Sequence, residues 1–246
     1  MKRFGIIGFP LKISFSKSFF TQKFESEHLS NHVYELFPLA DISLFPELIK
    51  MHPDLCGLNV TIPHKKTVIP YLDELDESAS EVGAVNVIKL TENGKLIGYN
   101  SDIFGFEQSF LPLLKPHHRA ALVLGTGGAA AAAAFILKKH KIPFQFVSRQ
   151  KTPETLTYQD LHQNGLGDAT ILINTTPAGM PPLEHLKPNI PYEFITQAHL
   201  LYDMIYYPTE TLFLQEGNKR GATTINGEQM FFAQAKKCWE IWNCKV

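Results

Sequence analysis

Short apolar runs alternate with longer stretches of helical periodicity along the whole 246-residue chain. This alternation is typical of βα units that feed a largely parallel sheet. The pattern predicts strands at residues 3–8, 32–37, 57–60, 84–90, 120–124, 144–148, 171–174, 200–203 and 223–226. It predicts helices at residues 16–27, 44–50, 65–71, 103–111 and 229–242, and one through the alanine run 129–134, since alanine is the best helix former.

Residues 90–100 have the pattern of a β-hairpin, because Asn93-Gly94 supplies the positive φ angles of a tight two-residue turn. Such a hairpin makes the first sheet mixed. Pro112 and a basic loop at 115–119 then separate it from a second series of βα units. The fold predicted is therefore α/β with two domains, residues 1–101 and 102–228, and a boundary near Asp102.

Composition narrows the class of ligand. At 44% hydrophobic and 19% charged residues, the chain can bury a sizeable core. A net charge of -1 gives no broad field to hold a polyanion, which argues against nucleic acid and favours a small molecule. No apolar run approaches the roughly 20 residues that span a bilayer, and the apolar start of the chain is too short for a signal peptide. These features predict a cytoplasmic protein without membrane contact.

The chain has three cysteines, Cys56, Cys238 and Cys244, without C-x-x-C spacing. This number and spacing argue against a disulfide framework and against a zinc site. We expect ordinary reduced thiols in the core or on the surface, and no metal.

The predicted strand at 120–124 leads into a glycine turn and then into the alanine-rich helix. Gly125, Gly127 and Gly128 allow a sharp turn and close approach of the backbone to a pyrophosphate, whose charge the N-terminus of the helix attracts. Ala129 follows, and Ala130 occupies the third glycine position of the dinucleotide fingerprint. The strand, turn and helix together predict a nucleotide-binding loop.

About 20 positions on, NAD enzymes commonly carry an acid that binds the ribose 2′-hydroxyl. This chain has Ser148-Arg149-Gln150-Lys151 there, without a carboxylate. A planar guanidinium at Arg149 suits a 2′-phosphate, and Ser148 and Lys151 can assist it. The segment favours NADP over NAD, although an ordinary solvated role for Arg149 stays open.

Polar residues follow the predicted strands of the first half, at Ser14 and Ser16, Asn59 and Thr61, Asn86, and 100–102. Ligands of open α/β sheets bind at the carboxyl ends of strands, so these side chains are candidates for a site. Each also has an ordinary interpretation. Ser16 or Asp102 can cap a helix, Asn86 can be a satisfied buried amide, and a lone Lys65 is usually solvated helix surface.

Taken together, the local sequences resemble the shikimate dehydrogenase family along nearly the whole chain. Besides the Gly125 loop, the matching stretches are Gly8-Phe-Pro-Leu-Lys-Ile-Ser14-Phe-Ser16, Gly57-Leu-Asn-Val-Thr61-Ile-Pro-His-Lys65, Gly83-Ala-Val-Asn86, Gly98-Tyr-Asn-Ser-Asp102-Ile-Phe-Gly, Asn174-Thr-Thr-Pro-Ala-Gly-Met180, Asp203-Met-Ile-Tyr206-Tyr-Pro208 and Asn226-Gly-Glu-Gln-Met230 with Gln234. The resemblance implies an NADPH-dependent, reversible reduction of 3-dehydroshikimate to shikimate. It also implies an N-terminal mixed-sheet substrate domain, completed by the helix at 229–246, a Rossmann-like dinucleotide-binding domain and a cleft between them.

The resemblance also implies roles for individual residues. Lys65 is the catalytic lysine, with Asp102 as its partner. Implied substrate-binding residues are Ser14, Ser16, Thr61, Asn86, Tyr206 and Gln234. Implied cofactor-binding residues are Gly125, Gly127, Gly128, Ala129, Ser148, Arg149, Lys151, Thr175, Met204 and Gly227.

The chain departs from the family's usual pattern at Ser101, Thr126 and Ser148, where threonine, alanine and asparagine are common. Two other interpretations stay open, a quinate/shikimate dehydrogenase that uses NAD and a non-catalytic metabolite sensor of the same fold. Retention of both Lys65 and Asp102 argues against the sensor. The sequence leaves the oligomeric state open, with a homodimer as one form.

Overall fold

A computed structural model describes residues 1–11 and 14–244 of the chain. It is an α/β protein with two six-stranded sheets, one mixed and one parallel, so the predicted fold class is confirmed. Two compact units divide the chain. The first is Met1–Ser101 together with the chain from Gln234 onward, and the second is Asp102–Ala233.

The mixed sheet lies in the first unit and has the strand order β2-β1-β3-β5-β6-β4. Only β5 runs antiparallel to its neighbours. The strands are β1 (Lys2–Gly8), β2 (His32–Pro38), β3 (Leu55–Val60), β4 (Glu74–Leu75), β5 (Val87–Leu90) and β6 (Leu96–Tyr99). The helices of this part of the chain are α1 (Phe15–Ser26), α2 (Phe45–Met51), α3 (His64–Thr67) and α4 (Glu77–Val82).

Alternate residues of β1 face two separate cores. Ile7 joins a cluster that includes Phe45 of α2, whereas Phe4 and Ile6 join Phe20 of α1 and the last helix. That helix, α9 (Glu228–Asn243), begins in the second unit and ends in the first.

The end of α9 is held against the mixed sheet by one indole. A methyl group at Gly57 of β3 would lie 2.3 Å from Nε1 of Trp242, so only glycine permits this approach. The same Nε1 donates a hydrogen bond to the Ile88 carbonyl at 3.1 Å. This contact fixes the register of the C-terminal helix on the sheet.

The second unit contains an all-parallel sheet in the order β9-β8-β7-β10-β11-β12. Its strands are β7 (Ala121–Leu124), β8 (Phe144–Ser148), β9 (Thr155–Thr157), β10 (Ile171–Asn174), β11 (Leu200–Asp203) and β12 (Thr223–Ile225). Its helices are α5 (Asp102–Phe110), α6 (Gly128–Lys139), α7 (Tyr158–Asn164) and α8 (Leu212–Asn218). This is the doubly wound order, and its direction of winding reverses between β7 and β10.

The central strands of the parallel sheet are apolar up to their last residues because both faces are covered. On one face, Val123 of β7 packs with Ala130 and Ala133 of α6. On the other face, Leu122 packs with Leu161 of α7 and with α8. The alanine run therefore serves close packing of a helix on the sheet, as well as helix formation.

The hairpin between β5 and β6 is antiparallel as expected, but the two-residue turn is wrong. The Gly94 N–H donates to the Thr91 carbonyl and the Thr91 N–H donates to the Lys95 carbonyl, so three residues form the loop. Only Gly94, at φ +79°, takes a positive angle there. This is the type I turn with a left-handed third residue, which an Asn-Gly pair serves equally well.

Other element boundaries also differ from the sequence prediction. The helix expected at 65–71 is a single turn, α3, followed by a 3₁₀ turn at Ile69–Tyr71, because Pro70 interrupts it. Residues 84–86 precede β5 instead of belonging to it. Among the described residues, two strands and three α-helices were not expected from the sequence pattern, and each has seven residues or fewer, namely β4, α4, β9, α7 and α8.

Candidate functional site

Several predicted substrate residues of the first unit lie after the carboxyl ends of β1 and β3. Ser14 caps α1, its hydroxyl accepting the Lys17 N–H at 3.4 Å, so the cap considered at Ser16 falls on Ser14. Thr61 donates its N–H to the Ile7 carbonyl at 2.9 Å. A methyl at Gly8 would lie 2.3 Å from Cγ2 of Thr61, so the glycine admits this contact. Residues 12–13, in the same motif, lie outside the described part.

Lys65 lies in the single turn of α3, directly after the Thr61 segment. Its carbonyl accepts the Val85 N–H at 2.7 Å, which ties the turn to the chain before β5. His64, beside it, is buried and bonded through Nε2 to the Leu39 carbonyl at 2.6 Å. Lys65 is half-buried, whereas its neighbour Lys66 is exposed.

Asn86 is buried and makes three hydrogen bonds with Ser101, the last residue of the first unit's N-terminal segment. Its Oδ1 accepts the Ser101 N–H at 2.7 Å, and its Nδ2 donates to Ser101 Oγ at 3.0 Å. Ser101 Oγ in turn lies 3.3 Å from Oε1 of Gln234, to which it donates. The structure thus brings the predicted Asn86 and Gln234 together through a serine.

Two further residues extend this network, and the sequence did not single out either as functional. Cys238 is fully buried, with its Sγ 3.1 Å from Nδ2 of Asn59, 3.2 Å from Ser101 Oγ and 3.5 Å from Oε1 of Gln234. Tyr34 donates its hydroxyl to Oδ1 of Asn59 at 2.7 Å. The available signal was the four-residue spacing of Gln234 and Cys238, which places both on one face of α9.

In the second unit, the predicted nucleotide loop joins β7 to α6. Gly125 has φ +114°, and a methyl there would lie 2.6 Å from Oγ1 of Thr175, so both conformation and space require glycine. Gly127 is the N-cap of α6 and provides no side-chain cap. Gly128 and Ala129 form the first turn, where free N–H groups can meet an anion.

Thr175 follows β10 at the point where the winding of the sheet reverses. Its hydroxyl donates to the Leu124 carbonyl at 2.7 Å, and its N–H donates to the same oxygen at 3.0 Å. The ends of β7 and β10 are therefore joined beside the glycine loop. Ligands of doubly wound sheets bind at this crevice.

The segment after β8 carries the predicted 2′-phosphate residues. Arg149 is exposed, and Ser148 Oγ accepts the Gln150 N–H at 3.3 Å. Lys151 contacts Oδ1 of Asp160 at 3.2 Å. Arg149 is therefore better placed than Lys151 to act as a cation for a ligand, because the Lys151 charge already has a partner.

A buried carboxyl organises the chain after β10 and β11. Asp203 accepts hydrogen bonds from Asn174 Nδ2 at 3.0 Å, Thr211 Oγ1 at 2.6 Å and the Ile205 N–H at 3.1 Å. Burial raises the pKa of Asp203 to about 7 in spite of these donors. We assign Asp203 a structural role, in which it fixes the chain after β10 and the chain after β11 relative to each other.

Met204, Gly227, Tyr206 and Asp102 lie in the same unit. A methyl at Gly227 would lie 2.3 Å from the Met204 carbonyl oxygen, so the backbones touch there. Asp102 is buried at the start of α5. Burial, and secondarily the charge of Asp102, raise the pKa of Tyr206 to about 12, which keeps its hydroxyl protonated near neutral pH.

The predicted site residues therefore fall into two groups, one in each unit. The first unit contains Ser14, Ser16, Thr61, Lys65, Asn86 and Gln234, and the second contains Asp102, Tyr206 and all the predicted cofactor residues. Over residues 1–11 and 14–244, no group of three or more metal-ligating side chains is present. Within the same residues, no helix is long and apolar enough to cross a membrane.

Comparison with known proteins places both units in one family. Residues 6–88 match the family model described as "Shikimate dehydrogenase substrate binding domain". Curated relatives named "Shikimate dehydrogenase (NADP(+))" include one from Methanococcus maripaludis, 35% identical over 98% of this chain and 91% of its own length. Another, from Chlorobaculum tepidum, is 36% identical over 98% of this chain and 90% of its own length.

Solved structures agree with these relatives. The shikimate 5-dehydrogenase from Thermus thermophilus, determined in complex with NADP(H) and shikimate, is 27% identical and superposes with a TM-score of 0.85. The match covers 99% of this chain and 94% of that protein. The chain belongs to the shikimate dehydrogenase family.

Proposed function

We propose that this protein is an NADP-dependent shikimate dehydrogenase that interconverts 3-dehydroshikimate and shikimate. The observation that carries the proposal is the match to relatives of that name over 98% of the chain, which includes both residue groups. As an oxidoreductase acting on a CH–OH group, it would serve chorismate formation and thus aromatic amino acid biosynthesis.

The loop between β7 and α6 fits a dinucleotide. Gly125 leaves room where any side chain would meet Thr175, and the first turn of α6 presents unbonded N–H groups. Arg149 would contact a 2′-phosphate, with Ser148 beside it, while Thr175, Met204 and Gly227 would form the walls. NADP, when bound, supplies or accepts the hydride.

The first unit would hold the substrate. Ser14 and Ser16 would bond the carboxylate, and Thr61, Asn86 and Gln234 would read ring hydroxyls. Polar groups that become buried together with a ligand discriminate well, because an analogue without a hydroxyl leaves its protein partner unpaired. Tyr206 would donate its hydroxyl hydrogen at the rim, since its pKa of about 12 keeps it neutral.

Lys65 would act on the reacting oxygen. During reduction, negative charge develops on the carbonyl oxygen, and the Lys65 ammonium would stabilise that charge and deliver a proton. In the reverse direction the amine would take the proton from the hydroxyl. Asp102 would orient Lys65 and the neighbouring substrate hydroxyl.

The test is the absorbance of the reduced nicotinamide with shikimate and NADP⁺. Lys65→Ala is expected to lower kcat roughly 10²- to 10⁴-fold, the usual effect of losing a general acid–base group. Lys66→Ala is the matched control, because this exposed neighbour lies on the same helical turn. Wild-type turnover in Lys65→Ala would contradict the assigned chemistry.

The same assay separates the alternatives. A clear preference for quinate with NAD would identify a quinate/shikimate dehydrogenase instead. Tight shikimate binding by calorimetry without any turnover would identify a metabolite sensor. Arg149→Ala should raise the KM for NADP⁺ more than Lys151→Ala does, since Asp160 already pairs with Lys151.

The cytoplasmic location and the homodimer stay predictions. Three free cysteines fit a reducing compartment, which supports the first. Fractionation of source cells would test the location, and sedimentation equilibrium would test the dimer.

A further inference from the structure

The buried thiol of Cys238 lies among the predicted substrate-binding residues of the first unit and contacts three polar side chains. It accepts a hydrogen bond from Asn59 Nδ2 at 3.1 Å and donates to Oε1 of Gln234 at 3.5 Å. Ser101 Oγ is 3.2 Å away. A thiol is a weak donor and a weak acceptor, so it can join all three.

The neighbours of Ser101 indicate which acceptor its hydroxyl proton bonds. Asn86 Nδ2 donates to the Ser101 hydroxyl, and Asn86 Oδ1 already accepts the Ser101 N–H at 2.7 Å. The hydroxyl lies 3.3 Å from Asn86 Oδ1 and 3.3 Å from Gln234 Oε1, and since Oδ1 already accepts the N–H, donation to Gln234 gives each oxygen a donor from Ser101. Oε1 of Gln234 then receives two donors, one from oxygen and one from sulfur.

We infer that Cys238 is a positioning residue for the substrate, which acts through Gln234. With Oε1 held by Cys238 and Ser101, the Gln234 amide is locked with its oxygen bound to protein and its NH₂ group left to the ligand. Gln234 is then a hydrogen-bond donor, and the substrate group it reads is an acceptor oxygen of a ring hydroxyl. This inference rests on the proposed function.

The hydrogen bonds of Asn59 and the packing of Cys238 hold the thiol in place beside Gln234. Asn59, which donates to the thiol, has its own Oδ1 fixed by the Tyr34 hydroxyl at 2.7 Å. Cys238 itself is fully buried, and it packs with Phe20 and Trp242 in the core shared by α1 and α9. A buried polar network that is fully satisfied specifies one arrangement of its members.

The experiment compares Cys238→Ala, Cys238→Ser, Gln234→Ala and the double variant Cys238→Ala/Gln234→Ala. Cys238→Ala should raise the KM for shikimate, and the Kd measured by calorimetry without cofactor, about tenfold. The KM for NADP⁺ should change less than about twofold, because the lost Cys238–Gln234 hydrogen bond orients a substrate residue and not a cofactor residue. Cys238→Ser keeps a donor and an acceptor and should recover most of the affinity.

The double variant separates positioning from a merely structural role. If Cys238 acts through Gln234, removing the thiol from Gln234→Ala should cost little further affinity for shikimate. Cys56→Ala is the matched control, a half-buried thiol on β3 whose Sγ contacts the Asp54 carbonyl instead. Melting temperatures of all variants report any general destabilisation.

Three outcomes would overturn the inference. Cys238→Ala with shikimate affinity within twofold of wild type would do so, and so would an equal loss in both Gln234 backgrounds. A wild-type protein that neither binds nor oxidises shikimate would overturn the proposed function along with it. An active wild type with an unaffected Cys238→Ala overturns the positioning role alone.

Discussion

At the scale of single residues, the nucleotide loop depends on the conformation of Gly125. Alanine there would be strained at φ +114° and would also meet Thr175 Oγ1 at 2.6 Å. We expect Gly125→Ala to lower stability by about 1–3 kcal/mol, the usual cost of such strain, and to weaken NADP⁺ binding. Gly127→Ala should destabilise less, since its φ is −80° and a methyl there meets open space. Urea denaturation of both variants checks this, and equal losses would contradict it.

A second prediction at this scale concerns acid stability. Bonds from Lys187 and then Arg220 lower the pKa of Glu216 from 4.5 to about 2. A carboxyl whose pKa is lower in the folded state stabilises above its unfolded pKa, and that contribution is lost as pH falls through about 2. Glu216→Gln should therefore lower the free energy of unfolding at pH 7, with the difference shrinking between pH 4.5 and 2.

Glu240→Gln is the control for that titration, because Glu240 is 62% exposed and pairs with a surface lysine, Lys237. Exposed pairs of this kind contribute little. A pH-independent loss in Glu216→Gln would show that packing, and not charge, is responsible.

Only part of the candidate site could be inferred from the sequence. Gly125 was predictable because its requirement is local, a turn between a strand and a helix. The contacts of Cys238 were not, because they are made with Asn59 and Ser101, which lie far away in the sequence. Distances between such residues depend on packing that no local pattern encodes.

At the scale of elements, the end of α9 is fixed to the mixed sheet by Trp242. Trp242→Phe keeps most of the apolar contact but removes the indole donor from the Ile88 carbonyl, which lies in a paired strand of the sheet. We expect a loss of about 0.5–1.5 kcal/mol, the usual net contribution of one hydrogen bond. Chemical denaturation measures it, and Trp239→Phe serves as a control, since Trp239 is only partly buried in the same cluster. Equal losses in the two variants would argue against the hydrogen bond.

Elements with a continuous apolar run were predicted well, and elements without one were predicted poorly. Three strands of the parallel sheet, β8, β10 and β11, have the bounds that their apolar runs predict. The short pieces β4 and β9 have only two and three residues, too few to establish a period. The hairpin turn was assigned one residue too short, because Asn-Gly occurs in both two- and three-residue loops.

At the scale of the whole molecule, the C-terminal segment completes the core of the first unit. Ala235, Cys238 and Trp242 are buried in one cluster with Phe4 and Phe20. Removing the chain after Ala233 should therefore destabilise residues 1–101, while the cores of 102–233 keep their own members. Limited proteolysis with mass spectrometry should find cleavage confined to the first unit. Protection of both units would contradict this division.

The sequence by itself determined the α/β class, the glycine loop, the absence of an acid after β8 and the ordered motifs of the family, because each depends on neighbours close along the chain. The tertiary structure alone decided that Asn86 and Gln234 meet through Ser101, that Thr175 lies against Gly125, and that Cys238 contacts Asn59, Ser101 and Gln234. Those contacts link residues far apart in sequence, and their distances follow from how strands pair and how α9 packs against them.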